Sequence, residues 1–203
     1  MLIATTNRAK FAEVQAYLAD FPVILRSLES MNDQPTVVED GATFEENAFK
    51  KARTLAQYSG CLTLADDSGL EVDALHGAPG IYSARYSGEE SNDEKNNEKL
   101  LLELQGIPDP QRTARFVCAL ALCAPDSFGG KEWLVRESCE GRITLAPRGT
   151  QGFGYDPVFF FPAYGKTFGE IDRKTKAAVS HRGKALRKLK DILTSLVALN
   201  AEP

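Results

Sequence analysis

Apolar positions along this chain recur with two periods, one suited to strands and one to helices. Leu2-Ile3-Ala4 is an unbroken apolar run that predicts a strand over residues 1–5. Behind it Phe11, Val14, Leu18 and Phe21 recur at three- and four-residue spacing, the stripe of a helix lying on a sheet. The helical spacing returns at Phe44, Ala48, Ala52, Leu55 and Ala56. That second helix is predicted to begin at Thr43, whose distance along the chain to Glu46 fits a capping box. Cys61-Leu62-Thr63-Leu64-Ala65 predicts a short buried strand ending at Asp66. Residues 77–90, rich in Gly, Ser and Pro, form a loop too long to be only a turn, and a polar helix is expected over about 92–104. Two β-rich runs, Thr113–Cys123 and 132–138, are joined through Pro125, Asp126, Gly129 and Gly130, which predicts an antiparallel hairpin. Val158-Phe159-Phe160-Phe161 reads as a further apolar strand. A last helix, His181–Leu199, carries Leu186, Leu189, Ile192, Leu193, Leu196 and Val197.

Alternation of strand and helix in the first half, followed by a hairpin, predicts an α/β protein whose sheet is partly mixed. The chain of 203 residues suffices for one large domain, or one domain with two lobes. No repeat, low-complexity tract or long linker divides it, so residues 1–203 are expected to form a single domain. With 28 acidic against 24 basic residues the net charge is −4, which argues against nucleic acid or an acidic membrane surface as a partner. An anionic ligand must then be held by local groups. The N-terminal run passes directly into a strand, with no charged leader or spanning segment, and a cytoplasmic protein is expected. Cys61, Cys118, Cys123 and Cys139 form no C-x-x-C pair and read as buried thiols rather than a zinc site or disulfide framework.

Candidate chemistry concentrates in five segments. Asp66-Asp67-Ser68-Gly69 sets two carboxylates and a hydroxyl where an apolar strand is predicted to end, the position at which ligands of open α/β sheets gather. The same residue types also make ordinary turns. If the strand persists, Asp66 and Asp67 face opposite ways and cannot do the same work. Thr5-Thr6-Asn7-Arg8-Ala9-Lys10 is a strand-to-helix junction whose hydroxyls, amide and free N–H groups can receive a phosphate. Arg8 and Lys10 sit in the first helical turn, which the macrodipole disfavours, and a bound polyanion would account for them; two solvated cations would also.

Glu39, outside the acid-rich helix start at 43–47, is a candidate ligand for a hard cation such as Mg²⁺, and Lys51 lies two helical turns further on. Gly152-Phe153-Gly154-Tyr155-Asp156-Pro157 is a glycine-flanked aromatic loop: its rings either offer a stacking face to a flat ligand or belong to the core. Lys176, His181 and Arg182 gather hydrogen-bond donors around Ser180, a candidate N-cap of the last helix.

Taken together these blocks closely resemble the inosine triphosphate pyrophosphatase family. They are Thr5-x-Asn7-x-x-Lys10, Glu39 ahead of Thr43-Phe44-x-Glu46-Asn47-Ala48, Ala65-Asp66-Asp67-Ser68-Gly69-Leu70, the run from Gly77 to Tyr86, Gly152-Phe153-Gly154-Tyr155-Asp156-Pro157 and Ser180-His181-Arg182-Gly183. The resemblance spans nearly the whole chain. It departs at Thr6, where the family commonly has glycine. It implies an elongated α/β fold with a central mixed β-sheet and flanking helices, two lobes around a nucleotide cleft, and a homodimer. It further implies Mg²⁺-dependent hydrolysis of non-standard purine nucleoside triphosphates (ITP, dITP, XTP) to monophosphate and pyrophosphate. In that reading Glu39, Asp66 and Asp67 hold Mg²⁺ and Asp67 is the general base. Thr5, Thr6, Asn7, Arg8, Ala9, Lys10 and Lys51 hold the triphosphate, Ser68 positions it, and Phe153, Gly154, Tyr155, Asp156, Lys176, His181 and Arg182 define the nucleoside pocket. Two alternatives stand beside it: a Maf-like nucleotide pyrophosphatase of different base preference, and a nucleotide sensor without turnover.

Overall fold

The computed structural model describes residues 1–88 and 92–199. In chain order the regular elements are β1 (Leu2–Ala4), α1 (Arg8–Tyr17), β2 (Arg26–Ser27), α2 (Phe44–Ser59), β3 (Thr63–Val72), α3 (Asp93–Glu103), β4 (Thr113–Cys123), β5 (Glu132–Ile143), β6 (Phe159–Phe161), β7 (Lys166–Thr167), α4 (Arg173–Val179) and α5 (His181–Leu199). Seven strands make one mixed sheet in the order β2-β1-β3-β4-β5-β6-β7. β1 pairs in parallel with both β2 and β3, while β5–β6 and β6–β7 are antiparallel. The predicted hairpin is β4 and β5. It is closed at the turn by the Ala124 N–H donating to the Lys131 carbonyl, and at the open end by the Ile143 N–H donating to Arg112. β5 runs five residues beyond its predicted end, to Ile143.

The chain separates into two compact units, neither continuous in sequence. The first comprises Met1–Asp67, Cys118–Glu137 and the chain from Gly183 on. Its core joins Ile3, Val14, Leu18 and Leu64 to Leu120, Leu122 and the α5 residues Leu186, Leu189 and Leu193. The second comprises Ser68–Val117 and Ser138–Arg182, with a core of Leu70, Leu100, Phe116, Tyr155, Phe159 and Phe168. The Phe116, Phe159 and Phe168 rings lie 4.5–5.9 Å apart, centroid to centroid.

Several expectations are corrected. The strand predicted to end at Asp66 continues through Asp67, Ser68 and Gly69 to Val72, because β3 is an interior strand and its neighbours outweigh the turn preference of these residues. The pairing with β1 does stop there: its last partners are Ala4 and Ala65. The two aspartates therefore open just past the carboxyl end of β1, not of their own strand. Ahead of the last helix, which begins at His181 as predicted, Lys176 lies in α4, a helix not foreseen in the sequence and capped by Asp172, whose Oδ1 accepts the Thr175 N–H. Val197 is 45% exposed and lies off the buried stripe of α5. Cys61 is only half-buried, while Cys118, Cys123 and Cys139 are buried free thiols. Residues 89 and 90 of the predicted glycine-rich loop lie outside the described residues; its earlier part carries a 3₁₀ turn over Gly80–Arg85.

Candidate active site

Within the first unit, five charged side chains converge where β1 ends. Thr5-Thr6-Asn7 turns the chain from β1 into α1: the Asn7 N–H donates to Thr5 Oγ1, and Asn7 caps the helix by accepting the N–H groups of Ala9 and Lys10 on Oδ1. Three of the N–H donors expected to be free for phosphate are thus already engaged. Thr6 has no positive φ, so the backbone here does not require the glycine usual at this position. Arg8 points to the surface and pairs with Glu29. Lys10 does not. Its Nζ lies 2.5 Å from Asp66 Oδ1, with side-chain exposures of 17% and 6%. A charge-assisted bond of about 1.5–3 kcal/mol exceeds the dipole cost of about 0.3–1 kcal/mol for a cation in the first turn, so Asp66 by itself accounts for Lys10.

Asp66 and Asp67, on opposite faces of β3, take different partners. Asp66 Oδ2 lies 3.4 Å from Cys118 Sγ, so both its carboxylate oxygens are engaged. Asp67 is met by Lys51 of α2, whose Nζ is 3.4 Å from Asp67 Oδ1, 2.7 Å from Glu39 Oε2 and 3.0 Å from the Asp66 carbonyl. Asp67 Oδ2 is buried and accepts no hydrogen bond. Burial raises the Asp67 pKa above the ordinary carboxylate value; Lys51 and Lys10 oppose this, while Glu39 and Asp66 add to it. For Lys51, burial alone would lower the pKa, but the surrounding Asp67, Glu39 and Asp66 raise it, so the ammonium form is held.

Sequence reasoning missed what fixes Glu39. The buried Asn47 accepts the Gly41 N–H on Oδ1 at 2.8 Å, and a Cβ at Gly41 would stand 2.8 Å from that same oxygen. Thr43 caps α2 as predicted, but Glu46 returns its bond to the Ala42 N–H rather than to Thr43. The Thr-x-x-Glu-Asn spacing carried the signal for both.

Among the described residues no three His, Cys, Asp or Glu side chains form a ready metal cage; lysines stand between the carboxylates. The donor chemistry nevertheless fits Mg²⁺, which uses one or two carboxylates and fills its remaining positions with water and phosphate oxygens. Asp67 Oδ2 supplies a buried oxygen with nothing bound to it, and Glu39 is 35% exposed beside it on Lys51.

Within the second unit the aromatic loop is built around a buried ion pair. Lys176 Nζ lies 2.5 Å from Asp156 Oδ2, and the same oxygen accepts the Phe153 N–H at 2.9 Å. Gly152 (φ +80°) permits this, since a Cβ there would fall 1.9 Å from Asp156 Oδ2. Phe153 is half-buried, with Lys176 Nζ 4.7 Å and Arg182 Cζ 5.7 Å from its ring centroid. His181 stacks on Phe116 at 4.7 Å. Lys176, His181 and Arg182 are each at most 5% exposed. Tyr155 belongs to the core, its hydroxyl donating to the Ser83 carbonyl at 2.8 Å, so of its side chain and Phe153's only the latter is available for stacking. Ser68, half-buried, begins this unit's share of β3.

The sequence profile of the Ham1 family matches residues 1–192. A protein of Geobacter sulfurreducens described as dITP/XTP pyrophosphatase is 53% identical over 193 residues, covering 95% of this chain and 96% of its own. One from Shouchella clausii with the same description is 50% identical over 194 residues, covering 95% and 96%. Among solved structures, a HAM1 protein from Coxiella burnetii superposes with a TM-score of 0.87 at 39% identity, over 96% of this chain and 98% of that one. The nucleoside-triphosphatase / dITP/XTP pyrophosphatase from Mycobacterium abscessus does so with a TM-score of 0.75 at 43% identity, over 93% and 96%.

Proposed function

The chain belongs to the Ham1 family, and from that premise we propose that it is a dITP/XTP pyrophosphatase, hydrolysing non-standard purine nucleoside triphosphates (dITP, ITP and XTP) between the α and β phosphates to the monophosphate and pyrophosphate. The observation that carries the chemistry is Asp67: a buried carboxylate with a raised pKa, one oxygen on Lys51 and the other bare. A carboxylate whose pKa is raised by burial is a better proton acceptor than an ordinary one, which suits it to take a proton from water. Lys51, held as ammonium by the carboxylates around it, and Lys10 on Asp66 supply the cationic groups that a triphosphate needs; the Thr5-to-Asn7 turn orients it. Glu39 and Asp67 would hold Mg²⁺, with Asp66 engaged by Lys10. When bound, the ion neutralises phosphate charge and lowers the pKa of a coordinated water.

In the second unit Phe153 offers a stacking face, and Lys176, Arg182 and His181 supply donors. Hypoxanthine and xanthine carry an oxygen acceptor at position 6, whereas adenine carries an amino donor there, so a donor-lined pocket favours the deaminated bases. Asp156 holds Lys176 and the loop rather than meeting the substrate. The homodimer that the resemblance implies belongs to the same proposal, and sedimentation velocity of the purified chain measures it. So does the cytoplasmic setting, the natural place for a nucleotide-pool enzyme; among the described residues no helix is long and apolar enough to cross a membrane.

The test is product analysis with dITP and Mg²⁺. Monophosphate and pyrophosphate in equal amounts are expected. Diphosphate with free phosphate would reject the α–β assignment, and binding without any product would favour the sensor.

A further inference from the structure

Helix α3 contributes no residue to the site as read from the sequence, yet its first turns grip the aromatic loop. Both backbone groups of Gly154 are taken by it: the N–H donates to Asp93 Oδ2 at 2.6 Å, and the carbonyl accepts from Asn97 Nδ2 at 2.9 Å. Gly154 adopts φ +62° with open space where a Cβ would stand, so no side-chain packing fixes this peptide, and these two bonds do so instead. On the other side of Phe153, its own N–H is held by Asp156. The ring is thus mounted between two anchors. Only the Asp156 anchor lies within the motif.

Asn97 is built as a donor fork. It is 8% exposed, and its Nδ2 donates to the Asp93 and Gly154 carbonyls, while its buried Oδ1 accepts nothing. A buried acceptor left without a partner is unfavourable in itself, and what the amide supplies in return is the donor for the Gly154 carbonyl. The gain lies in the loop.

We propose that Asn97, assisted by Asp93, is a positioning residue for base recognition: by holding both backbone groups of Gly154 it sets the plane of the Phe153 ring. This rests on the reading above that Phe153 stacks on the purine.

The test compares a substrate that has a base with an inhibitor that has none. For Asn97→Leu the KM for ITP is expected to rise about tenfold, the scale of one lost buried hydrogen bond, with kcat little changed. The inhibition constant of inorganic triphosphate, which lacks the base, should stay within about twofold. Asp93→Ala removes the exposed partner without disturbing the core and should shift the ITP KM in the same direction by less; it decides the matter if Asn97→Leu does not fold. An unchanged ITP KM, or equal weakening of ITP and triphosphate, overturns the proposal. Phe153→Ala separates the two layers. If it leaves the ITP KM unaltered, the stacking reading fails; if it raises KM and the α3 variants do not, only the positioning assignment fails.

Discussion

Lys51 Nζ stands 3.4 Å from Asp67 Oδ1, while the other oxygen of the same carboxylate is buried with no hydrogen bond. One half of Asp67 is therefore held and the other half available, which suits a group that must both stay in place and take a proton. Asp67→Asn keeps the shape but loses the charge and the basicity. Turnover of dITP is expected to fall by about 100-fold or more, the scale of general-base catalysis. Steady-state kinetics at saturating Mg²⁺ check this, and near-normal turnover would remove Asp67 as the base.

The same substitution should stabilise the fold. Burial raises the folded-state pKa of Asp67, so the folded protein binds that proton more tightly than the unfolded chain does. Below the unfolded pKa the carboxyl is neutral in both states and costs nothing. As pH rises through the folded pKa the penalty for ionising a buried group develops, and above it the penalty is complete. Asparagine never incurs it. Thermal melts in EDTA should show the advantage of Asp67→Asn over the parent smallest at about pH 3, below the unfolded pKa, and larger at about pH 8; a difference that does not change with pH would contradict this.

A buried arginine outside the site makes a separate test of stability. Arg112, 2% exposed, donates to three backbone carbonyls: Nε to Ile143, Nη1 to Leu104 and Nη2 to Thr144, each at 2.8–2.9 Å. Arg112→Leu leaves all three without their donor, and a loss of about 3–5 kcal/mol is expected. For a chain of this size that lowers Tm by roughly 10 °C. Arg112→Lys restores a charge but not the three-way fork, and should recover only part of the loss.

Local patterns in the sequence found most elements, because amphipathic stripes such as Phe44-Ala48-Ala52-Leu55 depend on burial that one helix face dictates by itself. They failed where neighbours in space decide. Asp66-Asp67-Ser68-Gly69 has the composition of a turn and is a strand only because it lies inside a sheet. The two-residue strands β2 and β7 have no periodicity to read. At the site, motif spacing named Lys10, Lys51, Asp156 and Lys176, but not their pairing, since Lys10–Asp66 and Lys176–Asp156 join residues 56 and 20 positions apart. Arg8 and Lys10 look alike on paper. Only the fold turns one to solvent beside Glu29 and the other inward to Asp66.

Arg182 should set base preference. Its guanidinium lies 5.7 Å from the centroid of the Phe153 ring, and under the proposed function it donates to a 6-oxygen and opposes a 6-amino group. Arg182→Ala is expected to lower kcat/KM for ITP more than for ATP, narrowing their ratio. An equal loss for both would assign Arg182 to phosphate binding or to structure.

Two glycines flank Phe153, and they should respond differently to the same change. Both have positive φ, +80° at Gly152 and +62° at Gly154, so alanine at either site carries a backbone cost of about 1 kcal/mol. At Gly154 nothing lies within 4 Å of the added methyl, and that cost is the whole effect. At Gly152 the methyl would stand 1.9 Å from Asp156 Oδ2, the oxygen that holds both Lys176 and the Phe153 N–H. Asp156 is 1% exposed and cannot swing into solvent, so relief requires breaking the buried ion pair. Separating such a pair typically costs about 3–5 kcal/mol, several times the backbone term. Gly152→Ala is therefore expected to lose far more stability than Gly154→Ala and to raise the KM for dITP as the Phe153 loop is displaced. Paired thermal melts and steady-state kinetics decide it: equal losses at the two positions would mean that the backbone, and not the Asp156–Lys176 pair, controls this loop.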